Sequence, residues 1–128
     1  MILLDENTDA DQRMMLEARR IPVRQVGVSW GRKGMDDPEI VTALQQLRSV
    51  TFLTRDPDFF RRELCHPSYC LALIDASASK TAEYALRFLR HRNFRTHAQR
   101  MGKVARLQPT GIVFWAWREP AESIQPWT

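Results

Sequence analysis

Apolar and polar positions along the chain switch between a period near two and a period near 3.6, and the switches predict alternating strands and helices. Ile2-Leu3-Leu4 is a continuous apolar run, too short for a helix, and reads as a buried strand closed by Asp5. Thr8, with Asp11 three residues on, predicts a capping box in which Asp replaces the usual Glu. The helix that follows runs to about Arg20 and turns Ala10, Met14 and Ala18 inward. The β-branched stretch from Ile21 to Val28, with Pro22 near its start, predicts a second strand. Trp30-Gly31-Arg32-Lys33-Gly34 is a loop broken by two glycines. Asp37-Pro38 then opens a helix, with Asp as N-cap and Pro at the first helical position. Its apolar face is Ile40, Ala43, Leu44 and Leu47.

Val50–Thr54 predicts a third strand, followed by a short helix from Phe59 to Leu64. Tyr69–Ile74 predicts a fourth strand, ending at Asp75. From Lys80 to about Arg92 the pattern is strongly amphipathic, with Ala82, Ala85, Leu86 and Leu89 inside and Glu83, Arg87 and Arg90 outside. Residues 93–110 fit neither period, Gly111–Trp117 reads as a final strand, and 118–128 is a tail with two prolines. Apolar strands alternating with helices imply an α/β fold with a mostly parallel sheet covered on both faces. At 128 residues the chain holds one such domain, without internal repeat or linker.

Composition adds few exclusions. No apolar run approaches the ~20 residues of a membrane helix. The start MILLDEN has no basic n-region, and two cysteines are too few for a disulfide scaffold, so a cytoplasmic protein with reduced thiols and no membrane partner is expected. Charge adds more. Residues 1–64 hold ten basic and eleven acidic side chains, whereas residues 65–128 hold nine and four. Sixteen of the nineteen basic residues are arginine, whose planar fork suits phosphate. Arg32, Lys33, Arg87 and Arg90 are therefore candidate contacts to the phosphates of a polyanion. The competing reading of the Arg-rich stretch is a solvated helix face.

In open parallel sheets, sites form beyond the carboxyl ends of the strands, where the strand order reverses. Asp5, Asp56 and Asp58 follow predicted strands, and Asp37 starts a helix after the loop that returns from the second. Clustered there, such acids repel: two charges ~5 Å apart cost roughly 3 kcal/mol at an effective dielectric of about 20. A divalent cation removes that cost, and oxygen-only ligands favour Mg²⁺ or Mn²⁺ over zinc. Each acid also has a structural role open to it. Asp37 and Asp58 can cap helices and Asp56 can hold the turn before Pro57, while Asp5 is placed for little except a site.

Other constellations are weaker. Cys65, His66 and Cys70 lack a fourth zinc ligand, and Cys70 reads as a buried thiol. His91 and His97 sit among arginines, facing phosphate or exposed. Trp115 and Trp117 share a strand face with Val113, which predicts core packing; the alternatives are an exposed stacking platform or a homodimer patch. Trp30 packs on its own domain or stacks on a base.

Three segments carry a resemblance. Leu3-Leu4-Asp5-Glu6-Asn7, Gly34-Met35-Asp36-Asp37-Pro38-Glu39-Ile40 and Leu53-Thr54-Arg55-Asp56-Pro57-Asp58-Phe59 are similar, in order and spacing, to the motifs of small PIN-like domains. The nearest likeness is to the compact subgroup with an LLDEN-type first strand, and it extends to about residue 75. The resemblance implies a three-layer α/β/α fold and metal-dependent endoribonuclease activity, often as the toxin half of a toxin–antitoxin pair silenced by a small antitoxin protein. Carried over by position, the catalytic, metal-binding acids are Asp5, Asp37, Asp56 and Asp58, with Asp36 and Glu39 as alternatives in the middle motif. Many relatives are inactive, so the competing reading is a binding module for nucleic acid or an acidic protein.

Overall fold

Strands that must be covered on both faces have the most continuous apolar runs, and they form the centre of the sheet. The computed structural model describes all residues, 1–128. β1 (Ile2–Leu4), β3 (Val50–Thr54) and β4 (Tyr69–Ile74) are buried at every position. With β2 (Val23–Gln25) and β5 (Lys103–Gln108) they run parallel, and β6 (Gly111–Ala116) and β7 (Ser123–Gln125) return antiparallel. The order across the seven-stranded sheet is β2-β1-β3-β4-β5-β6-β7. The chain therefore leaves β1 in one direction to make β2 and returns past it to make β3. That reversal opens a crevice beyond the carboxyl ends of β1 and β3.

Alternation along the strands sorts the core onto two faces. Ile2, Leu4, Leu53 and Ala72 pack with Leu16 of α1 (Ala10–Ala18) and with Ala82, Ala85 and Phe88 of α3 (Thr81–Arg90). Leu3, Phe52 and Leu71 pack on the other side with Ile40 and Leu44 of α2 (Asp37–Leu47). The result is an α/β fold with helices on both faces of one mostly parallel sheet. No helix is long and apolar enough to cross a membrane.

Several local expectations are corrected. The Thr8–Asp11 box does not form: Thr8 closes a turn onto the Asp5 carbonyl, and the N-cap of α1 is Asp9, which makes no side-chain cap bond. Its inward residues are Gln12 and Leu16, while Met14 is 61% exposed. The α2 cap is Asp36 rather than Asp37. Asp36 Oδ1 accepts from the Glu39 backbone N–H at 2.9 Å and Glu39 answers with its own carboxylate, which leaves Asp37 inside the first turn. The expected Phe59–Leu64 helix is two 3-10 turns, Pro57–Phe59 and Arg62–Leu64. Residues 93–110 resolve into α4 (His97–Arg100) and β5.

The predicted tail adds an edge strand instead. Gly111 carries φ +153, and a Cβ there would meet the Gln125 carbonyl oxygen at 2.6 Å, so β7 approaches where only glycine leaves room. His91 is neither exposed nor facing phosphate: it is buried, bonded through Nε2 to the Pro126 carbonyl. The inward face of β6 is Ile112 and Phe114, so Trp115 is half-buried and Trp117 is 41% exposed. The cluster under α2 ends at Val104 of β5, and no helix covers the sheet beyond it on that side. Trp30 packs against that same cluster.

Candidate metal centre at the carboxyl edge of the sheet

Asp5 continues β1 by one rung, its N–H donating to the Leu53 carbonyl at 3.0 Å. Its carboxylate then meets Thr54, the last residue of β3, whose hydroxyl donates to Asp5 Oδ2 at 2.5 Å. The same hydroxyl oxygen accepts from the Asp56 N–H at 3.0 Å. One buried threonine thus couples the end of β1 to the acidic turn after β3. Asp56 caps that turn, its Oδ1 accepting from the Asp58 N–H at 2.9 Å. Phe59 anchors the turn beneath, edge-on to Phe52 at 5.2 Å between ring centroids.

Asp37 arrives from the other side, on the first turn of α2, where the partial positive charge of the helix end favours a carboxylate. Carboxylate oxygens of Asp37, Asp56 and Asp58 lie within 4.8 Å of one another. Asp5 is outside that group but adds to its field. Burial, then the charges of Asp56, Asp58, Asp5 and Asp36, push the Asp37 carboxyl above its ordinary 3.8. The donor set is all oxygen, which suits a hard cation. Opposed oxygens around Mg²⁺ lie about 4.2 Å apart and adjacent ones about 3 Å, so the three carboxylates would have to draw together to share one ion. Asp37, Asp56 and Asp58 could hold a divalent ion, with Asp5 at the margin.

The middle-motif alternatives are otherwise engaged: Asp36 in the cap, and Glu39 in both the cap and an ion pair with Arg32. Lys33 lies beside Gly27, and the Gly34 N–H donates to Glu6 Oε1 at 2.9 Å, which ties this loop to the residues after β1. Gln25, only 2% exposed, holds those residues in turn. Its amide donates to the carbonyls of Glu6 and Thr8 at 3.1 and 2.8 Å and accepts from Arg13 at 2.6 Å.

A cavity of about 220 Å³ flanks the acids and is lined by Asp5, Asn7, Asp9, Arg55 and Asp56 among others. A larger groove, about 490 Å³, lies on the opposite flank between α2 and the 3-10 turns, lined in part by Asp37, Asp58, Phe59 and Arg61. Arg55 and Thr54 are the residues that the sequence reading passed over. Arg55 lines the first cavity with its Nε donating to the Ala76 carbonyl, and the signal was its place inside the acidic third motif.

Arg87 and Arg90 do not join this site. Both lie toward the far end of α3, a ten-residue helix about 15 Å long whose first residue, Thr81, is the one beside the acids. Arg87 stacks on Trp127 at 4.3 Å, and Arg90 lines a cavity with Met1 and Ile2 at the opposite edge of the sheet. The Cys65–His66–Cys70 set does not assemble either. Cys70 is fully buried, burial pushes its thiol up to about 12, and His66 Nδ1 accepts from the Ser68 N–H.

Compared with known proteins, the chain matches no family model, no curated protein and no solved structure.

Proposed function

We propose that the chain is a divalent-metal-dependent ribonuclease of the PIN-like kind, with its centre at the carboxyl edge of β1 and β3. The observation that carries this reading is the approach of three carboxylates from two separate segments to within 4.8 Å at the crevice where the strand order reverses. At that spacing each pair repels by about 1 kcal/mol in water, and by more where burial lowers the dielectric. The likeness of the three motifs to those of PIN-like domains supports the same residues.

Asp37, Asp56 and Asp58 would hold a Mg²⁺ or Mn²⁺ ion, which would supply positive charge to the phosphodiester and lower the pKa of a bound water. The chain's own part is positional. Thr54 holds the Asp5 carboxylate against the backbone of Asp56, and the Asp36–Glu39 cap leaves Asp37 free. Arg55 lines the cavity beside Asp5 and Asp56 and offers a cation to the RNA backbone, and Arg32 and Lys33 come from the loop that leads to α2. A toxin role, with an antitoxin covering the acids, extends the reading; growth arrest on expression, relieved by Asp5→Asn, tests it.

The direct test is cleavage of labelled single-stranded RNA with and without manganese. Wild type should cleave only with metal, and Asp37→Asn and Asp56→Asn, shown folded by circular dichroism, should not. Equal cleavage by both variants would sink the assignment.

A further inference from the structure

The opposite edge of the sheet carries a second, differently charged site. Around the start of β1, a cavity of about 400 Å³ is lined by Ile2, Arg19, Arg90, Arg95, His97 and Arg100, among other residues, and by no acid. Arg19 comes from the end of α1, Arg90 from the end of α3, and the others from the segment around α4. None of these four arginines forms an ion pair; all five ion pairs of the protein lie elsewhere.

Arg100 is the independent sign of a ligand. It is only 4% exposed and has no carboxylate partner. Its Nε donates to Thr51 Oγ1 and its Nη1 to the Phe94 carbonyl, both at 2.8 Å, and Nη2 lies 3.4 Å from His97 Nδ1. Those are three neutral acceptors for a guanidinium with five donors. A buried cation without a countercharge is costly, and an anion in the cavity would remove the cost. His97 feels the same field: burial, then the Met1 amine and Arg100, push its imidazole below the ordinary 6.5.

The ends of α1 and α3 bring only about half a negative unit each to this edge, too little to balance four guanidinium groups. Ile21, Pro22 and Leu89 supply an apolar wall. The volume falls in the range of small-ligand sites and exceeds what a lone inorganic anion requires.

We propose that this cavity binds a nucleotide, with its phosphate on Arg90, Arg95 and Arg100 and its sugar and base against Ile21, Pro22 and Leu89. The site uses none of the acids, so it does not rest on the ribonuclease reading. The phosphate belongs either to a free nucleotide or to one unit of an RNA strand.

Adenosine 5′-monophosphate, followed by calorimetry, and a fluorescein-labelled single-stranded oligoribonucleotide, followed by anisotropy, distinguish the two sources. Arg90 and Arg95 are exposed and make no hydrogen bond or ion pair, so the double variant R90Q/R95Q keeps the fold. Wild type should bind at least one probe, and R90Q/R95Q should weaken that binding at least about tenfold, as expected for lost charge-assisted bonds. Arg24→Gln, which removes an exposed cation of β2 that lines neither cavity, should bind as wild type. Mononucleotide binding that R90Q/R95Q loses identifies a free nucleotide. Binding of the oligonucleotide alone, lost in the same variant, identifies an RNA unit. If neither probe binds wild type, or if the double variant binds both as tightly, the proposal is overturned.

Discussion

The two edges of the sheet are built from the same strands and carry opposite charge. At the carboxyl edge, Asp37, Asp56 and Asp58 gather on short, stiff connections: a capped helix start and a 3-10 turn closed by Pro57. At the amino edge, arginines gather where α1 and α3 end and around α4. Neither the acids of the one edge nor the arginines of the other form an ion pair. A net charge of +4 therefore conceals two poles that face away from each other. The contrast shows that overall charge speaks to the kind of partner, while topology decides where each sign is presented.

The largest expected effect separates the poles chemically. Asp56→Asn should lower manganese-dependent RNA cleavage at least about 100-fold, because even residues one shell beyond a metal cost 10–100-fold. Its binding of mononucleotide or oligonucleotide at the arginine edge should stay unchanged in calorimetry. Loss of both functions together would mean the two edges form one site.

Metal should then stabilise one edge only. Manganese at 100 times its dissociation constant adds about 2.7 kcal/mol. For a domain of this size that raises Tm by roughly 10 °C in thermal scans. The gain should vanish in the double variant Asp37→Asn/Asp56→Asn and persist in R90Q/R95Q. A Tm indifferent to millimolar manganese would count against a shared cation.

A third prediction concerns the scaffold of the acid edge. Gln25→Leu strands the Glu6 and Thr8 carbonyls and leaves Arg13 only its pairing with Glu17. Chemical denaturation should show a loss of about 2 kcal/mol. Proteolysis should open the segment after β1 before the segment around α4. The reverse order of cleavage would assign Gln25 a global role.

The smallest effect is a pH dependence. Asp37 has its folded-state pKa raised above 3.8, so its ionised form disfavours the fold. In metal-free buffer Asp37→Asn should be more stable than wild type at pH 7, by less than about 1 kcal/mol for so exposed a group. As pH falls through the raised value toward 3.8 the Asp37 carboxyl protonates, and the advantage should disappear. A Tm difference that stays constant from pH 7 to pH 4 would dismiss the repulsion.

Much of the fold was legible because burial on both faces leaves a strong local mark. β3 and β4 lie where their apolar runs predicted them, and the acids that follow β1 and β3 fell at the same edge. Local signals failed where two neighbours competed for one role. Asp36 and Asp37 are both able to cap α2, and only the bond to Glu39 decides between them. Gln12 interrupts an apolar helix face, yet it is inward because its Oε1 accepts from the Ala82 N–H at 2.9 Å, seventy residues away. His91 looked exposed among arginines until β7 brought the Pro126 carbonyl to it.

The sequence by itself therefore determined the strand and helix rhythm, the α/β class and which acids border the parallel edge. These follow from periodicity and from the rule that parallel strands end together. Tertiary structure alone decided that Arg90 lies across the sheet from the acids and that Arg100 is buried without a countercharge. The reason is that a helix carries its two ends to opposite edges. Residues close in sequence, such as Thr81 and Arg90, are thereby delivered to different sites, and no local pattern records which end of the sheet each one reaches.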